Sequence, residues 1–462
     1  MALAEQMETI EDPWRPRAPT TLEDLGVPRT LVQDLVLRRA LVDGRTSTLG
    51  LSSALAISPV VVTSLIEELR ALRYLEVQGL DGRDYLVALT DLGRDQANER
   101  MKLSRYVGAV PVSLEAYTAM VERQRAFPQI NRASIRRAFA DLVVSDQLLD
   151  ELGPAARSPG ALFLYGPPGT GKSSIAERLN RIHGDAVLIP HAVEVDGQVI
   201  TVFDPVVHQP IESQPTGLDP RWVLCRRPSI IVGGELTADM LDLQYEAGSG
   251  IYLAPLQMQA NNGIFVIDDF GRQTLTPEQL LNRWIVPLDR SIDYLSLSYG
   301  VKFQIPFDAK IVFSTNLEPS SLGDEAFFRR IENKILVPSI DDAQFDEVLV
   351  RVTEAMGIAV EPGAPEYLRF VSREFGDGDL RPYLPQSVCR ILRSICEYEE
   401  QPLVLSRSAI DRVARIYFTH ADALRSQGTR ADAAGAPQVD VLREEELING
   451  EAVVAPPVVT AF

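Results

Sequence analysis

The sequence predicts an α/β fold with helical regions on either side, and three observations carry that reading. An apolar strand, Ala161 to Tyr165, runs straight into Gly-Pro-Pro-Gly-Thr-Gly-Lys-Ser at Gly166 to Ser173 and then into a helix from Lys172 to about Ile182. Two further apolar strands, Gly263 to Ile267 and Ala309 to Phe313, each close on polar side chains. Residues 340 to 420 hold helical patterns only, which predicts an all-α region.

At 462 residues with 45% hydrophobic and 24% charged content, the chain has enough apolar material for several domains. No apolar run approaches the ~20 residues that span a bilayer, so membrane insertion is not expected. Residues 1 to 23 are polar and acidic, without the apolar stretch of a secretory signal. Three scattered cysteines suit a reducing compartment, and a cytoplasmic location is expected. The four histidines are equally dispersed and read as structural or surface residues. A net charge of −19 argues against a generic nucleic-acid binder, whose affinity comes from Lys and Arg neutralising phosphates.

Along the chain, residues 1–27 read as a flexible acidic leader. Residues 28–100 begin with an apolar helix face at Leu31, Val32, Leu35, Val36 and Leu41. Two short helices follow, Leu49 to Ala56 and Pro59 to Arg73, then strands Tyr74 to Val77 and Tyr85 to Ala88 around a turn with Asp81 and Gly82. With Leu89-Thr90-Asp91-Leu92-Gly93-Arg94 opening a closing helix, this region resembles a winged helix-turn-helix domain. Nine arginines against ten acids leave it nearly neutral, so a protein client or adaptor is the expected partner ahead of nucleic acid. Residues 101–134 read as a solvated helical linker, 135–338 as the nucleotide-binding core, 339–420 as a helical lid and 421–462 as a disordered tail. Within the core, Ala192 to Val202 reads as a hairpin with Asp196 and Gly197 at its turn. Arg221, Arg226 and Arg227 read as a surface cluster at a strand end.

The chemistry sits in three stretches. In the first, Gly166, Pro167, Pro168, Gly169, Thr170 and Gly171 form a tight loop whose backbone N–H groups face phosphate oxygens. Lys172 reaches the β- and γ-phosphates and the Ser173 hydroxyl ligates Mg²⁺. The helix starting there adds the positive end of its dipole. In the second, Asp268 and Asp269 end an apolar strand, Asp268 as a metal ligand and Asp269 as the group that orients or deprotonates water. In the third, Asn316 ends the next strand, facing the lytic water or γ-phosphate. Arg329 and Arg330 then close Asp324-Glu325-Ala326-Phe327-Phe328-Arg329-Arg330, placed to neutralise charge in a neighbouring subunit's site.

Together these stretches resemble an AAA+ ATPase, with Walker A at Gly166 to Ser173, Walker B at Ile264 to Asp269, sensor 1 at Asn316 and arginine fingers at Arg329 and Arg330. In Asp379-Leu380-Arg381-Pro382-Tyr383-Leu384, Arg381 is similar to the sensor 2 residue that touches the γ-phosphate. The resemblance implies a P-loop NTPase core with a parallel sheet, a C-terminal all-α lid, ATP and Mg²⁺ bound between them, and self-association into a ring, expected to be a hexamer. Its implied work is remodelling or moving a macromolecular client. A nucleotide-controlled switch or scaffold with slow turnover, and a DNA-directed ATPase using the winged helix, are the alternatives. A hairpin at Ser291 to Ile305 is similar to the one before sensor 1 in part of that group, and Gly233 to Ala260 is the candidate pore-loop region, in which Leu236, Tyr245 and Tyr252 read equally as core residues. Active members mostly end Walker B in Asp-Glu. Here the second residue is Asp269, whose carboxylate sits about 1.5 Å further back, and a misplacement of about 1 Å can cost ~10²-fold in rate. Glu235 is the alternative acid.

Overall fold

The computed structural model describes residues 15–81, 84–125, 130–319, 331–376 and 378–418. At its centre five strands lie parallel in the order Ser229–Val232, Ile264–Ile267, Lys310–Thr315, Leu162–Tyr165 and Asn333–Leu336. Successive side chains of a strand point to opposite faces, so apolar runs such as Leu162-Phe163-Leu164 need cover on both sides. Leu162, Leu164, Val266 and Val312 pack with Ile175, Leu179 and Leu152 from helices Lys172–Leu179 and Asp146–Arg157. Phe163, Phe265, Ile267 and Phe313 pack on the other face with Leu280 and Trp284 of helix Pro277–Arg290.

The N-terminal region forms helices Arg29–Asp43, Thr48–Leu55, Pro59–Ala71 and Asp91–Leu103 around a three-stranded antiparallel sheet. Ser47, Ser58 and Thr90 cap three of these helices through their side-chain oxygens. Strands Leu75–Asp81 and Asp84–Leu89 match the expected pair, while Arg45–Ser47, too short to show periodicity, joins the sheet beside Asp84–Leu89. Gly93 is required here: a Cβ on it would lie 1.9 Å from the Tyr74 carbonyl oxygen, so the closing helix packs directly on the strand backbone. The expectation of a flexible leader fails for its described part. Leu22 and Leu25 are buried in the helical core, the Pro16 carbonyl accepts from Asp219 N–H and the Pro19 carbonyl accepts from the Ser58 hydroxyl.

The connector is likewise not a solvated linker. Val112–Ser113 pairs with Ala192–Val195, and helix Leu114–Gln124 buries Tyr117, Met120 and Val121. These residues join a β-rich layer whose other strands come from the chain between the loop helix and the Ile264–Ile267 strand. Its five-stranded sheet runs Gln244–Glu246, Ile251–Leu253, Gln198–Thr201, Ala192–Val195, Val112–Ser113, with Ala186–Pro190 pairing Trp222–Arg226 beside it. The Ala192–Thr201 hairpin turns at Asp196 and Gly197, both at positive φ, and the second expected hairpin forms from Ile292–Ser296 and Lys302–Pro306.

Residues 342–417 form helices Asp342–Met356, Ala364–Phe375, Tyr383–Glu399 and Arg407–Tyr417 around Phe345, Leu349, Leu368, Val388 and Val413. The all-α expectation needs one correction, because Ala359–Val360 and Val404–Leu405 form a short parallel pair.

Candidate nucleotide site

Gly166, Gly169 and Gly171 all sit at positive φ, where a side chain is strained. A Cβ on Gly166 would also lie 2.4 Å from the Val337 carbonyl oxygen, so the loop starts pressed against the end of the neighbouring strand. The Thr170 hydroxyl donates to the Pro167 carbonyl, fixing the turn. Lys172 is buried at 6% exposure, and its Nζ donates to the Gly166 and Pro167 carbonyls at 3.0 and 2.8 Å. Ser173 stands exposed in the first turn of the following helix.

The Lys310–Thr315 strand lies between the Leu162–Tyr165 and Ile264–Ile267 strands. Asn316 at its end is therefore placed between the glycine loop and the aspartates, half-buried. The register of this edge is fixed by Phe270 N–H donating to the Ser314 carbonyl and by the Thr315 hydroxyl donating to the Phe270 carbonyl. Asp268 Oδ1 accepts the Asp269 N–H, and Asp269 sits exposed at φ 49°, in the left-handed region that few side chains adopt. Burial lowers the Lys172 ammonium from its ordinary range. Asp268 and Asp269 oppose that shift by their charge, and Arg381 adds to it. Asp268, Asp269 and Arg381 thus all lie near enough to Lys172 for their charges to act on it.

Arg381 arrives from the opposite direction. Ile340 and Leu380 form an antiparallel bridge, and the Ser339 hydroxyl donates to Asp379, so residues 379–383 run back across the glycine loop. A Cβ built on Gly169 would lie 2.3 Å from Tyr383 Cε1 and 3.5 Å from Arg381 Cδ, and one on Gly171 would lie 3.9 Å from Pro382 Cγ. Sequence reasoning singled out Arg381 but missed Tyr383, although it stands two residues further along the same stretch.

Other expectations fare differently. Arg329 and Arg330 lie outside the described residues. Glu235 accepts the Gly233 N–H, which holds its carboxyl below the usual range, on the loop beyond the edge strand. Of the pore-loop candidates, Leu236 and Tyr252 are core residues, and Tyr245 is exposed on a sheet edge. The surface reading of the arginine cluster holds for Arg226 and fails for its companions. Arg221, 5% exposed, pairs with buried Asp219 and donates to the Leu25 and Pro111 carbonyls. Arg227, 8% exposed, grips Asp185 and the Asn262 and Gln124 carbonyls. Both are sunk because a guanidinium's several N–H groups can satisfy distant chain segments at once.

A family model described as a domain of unknown function, DUF8689, matches residues 341–416, which span the four C-terminal helices. No curated protein matches the sequence. Among solved structures the chain is similar to the Holliday junction branch migration motor RuvB of Thermotoga maritima. That match has 13% identity, covers 63% of this chain and 72% of that one, and has a TM-score of 0.36. It is also similar to NtrX from Brucella abortus in complex with ATP, at 14% identity over 65% of this chain and 64% of that one, with a TM-score of 0.38.

Proposed function

We propose that this chain is an AAA+ type ATPase that binds ATP at Gly166 to Ser173 and hydrolyses it, coupling the reaction to movement of a macromolecular client. The single observation that supports it most is the convergence of Lys172, Asp268, Asp269 and Arg381 on one glycine loop at the C-terminal edge of a parallel sheet. The residues fit a metal as well: Ser173 is exposed beside the loop, and Asp268 has one oxygen beyond the one engaged by Asp269 N–H. Mg²⁺ held by Ser173 and Asp268 would neutralise charge on the β- and γ-oxygens.

In this reading Lys172 exchanges its carbonyl partners for phosphate oxygens, and the positive-φ glycines leave the loop's N–H groups open to the same anion. Asp269 accepts a proton from, or orients, the attacking water, and Asn316 holds that water in line. Arg381 supplies positive charge from the lid, and Arg329 and Arg330 would supply it from a neighbouring copy.

The N-terminal region acts here as a winged helix that docks protein. On helix Pro59–Ala71 the exposed N-terminal side chains are Val60, Thr63, Ser64 and Glu67, with Arg70 only at the far end, a poor complement to a phosphate backbone.

The test is paired binding and turnover. Lys172→Ala should abolish binding of labelled ATP. Asp269→Asn should keep binding but lower turnover by about 10²-fold or more, the range seen when a positioned proton-transfer group is lost. Undiminished ATP binding by Lys172→Ala would place nucleotide elsewhere.

A further inference from the structure

Asp269 and Asn316 stand at the ends of two different strands, and one buried hydroxyl bonds the backbone next to both. Thr315, 1% exposed, ends the Lys310–Thr315 strand. Its Oγ1 donates to the Phe270 carbonyl at 2.7 Å and accepts the Leu317 N–H at 3.0 Å. The first bond holds the residue that follows Asp269, and the second closes a turn around Asn316. Phe270 is itself firmly seated. Its N–H donates to the Ser314 carbonyl at 2.7 Å, and its ring, 1% exposed, packs edge-on against Phe163 and Phe313.

A second fastener spans the same turn. Gln273 Nε2 donates to the Asp268 carbonyl and Gln273 Oε1 accepts the Gly271 N–H, both at 2.8 Å, so one carboxamide brackets Asp269 and Phe270. The Asp269 carbonyl accepts the Arg272 N–H as well. Between these bonds Asp269 keeps φ 49°, in a region where aspartate is among the few enriched side chains. The fastened turn therefore suits the shorter acid that this chain carries.

We propose that Thr315 and Gln273 are positioning residues for hydrolysis, which hold the Asp269 carboxylate and the Asn316 amide in one fixed relation across the two strand ends. The inference rests on the reading of Asp269 as the residue that engages the attacking water and of Asn316 as the one that holds it in line. Both positioning residues act through the backbone, so their signature lies in the rate of the chemical step and not in affinity for ATP. A misplacement of about 1 Å can cost ~10²-fold in rate, which sets the scale of the effect.

The experiment measures single-turnover hydrolysis of ATP with Mg²⁺ and, separately, binding of N-methylanthraniloyl-ATP, in the full chain. Thr315→Val removes the hydroxyl at nearly constant volume and is expected to lower the rate by about 10- to 100-fold, with the dissociation constant within about twofold of the unaltered chain. Thr315→Ser keeps the hydroxyl and is expected to retain most of the rate, a rescue that packing alone would not give. Gln273→Met preserves side-chain length and loses both bonds. It is expected to lower the rate in the same way, and it is the independent variant should Thr315→Val fail to fold. Three results overturn the positioning and leave the nucleotide reading intact: an undiminished rate in either folded variant, a fall in rate matched by an equal loss of ATP affinity, or a Thr315→Ser rate as low as that of Thr315→Val. Absence of hydrolysis by the unaltered chain overturns the hydrolytic reading and the positioning with it.

Discussion

At His183 burial outweighs every other influence and pushes the imidazole down to about 4, with the Arg227 guanidinium adding to the shift and Asp185 opposing it. The Nδ1 atom is buried without a hydrogen-bond partner among the described residues. Because the folded pKa lies below the unfolded value near 6.5, the unfolded chain binds more protons between these two limits. Stability attributable to this residue is complete above pH 6.5 and is lost as pH falls toward 4, by up to about 3 kcal/mol. His183→Gln should therefore flatten the acid side of the stability profile, measured as the difference in urea midpoints between pH 6.5 and 4.5. An unchanged difference would remove His183 from the balance. At this scale two separate stretches were readable, the glycine loop running into Lys172 and the strand ending in Asp268 and Asp269, because each is marked by residues adjacent in sequence. Arg221 and Arg227 were not readable. Their partners Leu25, Gln124 and Asn262 lie far off in sequence, and no local pattern marks a guanidinium that will be buried by such contacts.

Among the elements, the core strands could be read because both faces are buried and the strands are continuously apolar, whereas the β-rich layer could not. Its strands are two to five residues long, and Val112–Ser113 joins Ala192–Val195 from another part of the chain. The hairpins were visible because Asp196-Gly197 and Tyr299-Gly300 are local turn signals. The layer's two hairpins meet at their tips, where the Tyr299 hydroxyl donates to Asp196 at 2.9 Å. Arg283 of helix Pro277–Arg290 grips Asp293, 1% exposed, and Asp242, so the helix following the aspartates is fastened to the second hairpin. The joint between this layer and the N-terminal helices is Arg221, whose bidentate pair with Asp219 is buried on both sides. Arg221→Ala strands a carboxylate in the interior and should cost about 3–5 kcal/mol. The loss should appear as a lower urea midpoint and as faster amide exchange at Leu25 and Val112. A loss within 0.5 kcal/mol would mean that the pair is dispensable.

For the molecule as a whole, the proposed trans action of Arg329 and Arg330 requires self-association. Light scattering should show small species converting to a closed oligomer on addition of ATP and Mg²⁺, and Lys172→Ala should block the conversion. A single small species under both conditions would argue for the switch reading and against arginines acting between copies. The N-terminal region meets the β-rich layer through more than Arg221. Ala192 and Val199 are buried in the N-terminal core, Ile251 packs against it, and Arg105 N–H donates to the Ser249 carbonyl. A Cβ on Gly250 would lie 2.2 Å from the Leu103 carbonyl oxygen, so the two backbones touch. No clean seam separates the first hundred residues from the rest. A shortened chain beginning after Leu103 would bare apolar flank and lose the Leu25 carbonyl that accepts from Arg221, and it should aggregate. For the intact protein the same welding means that the N-terminal helices have no hinge at the hairpin layer, so a displacement of one is handed directly to the other.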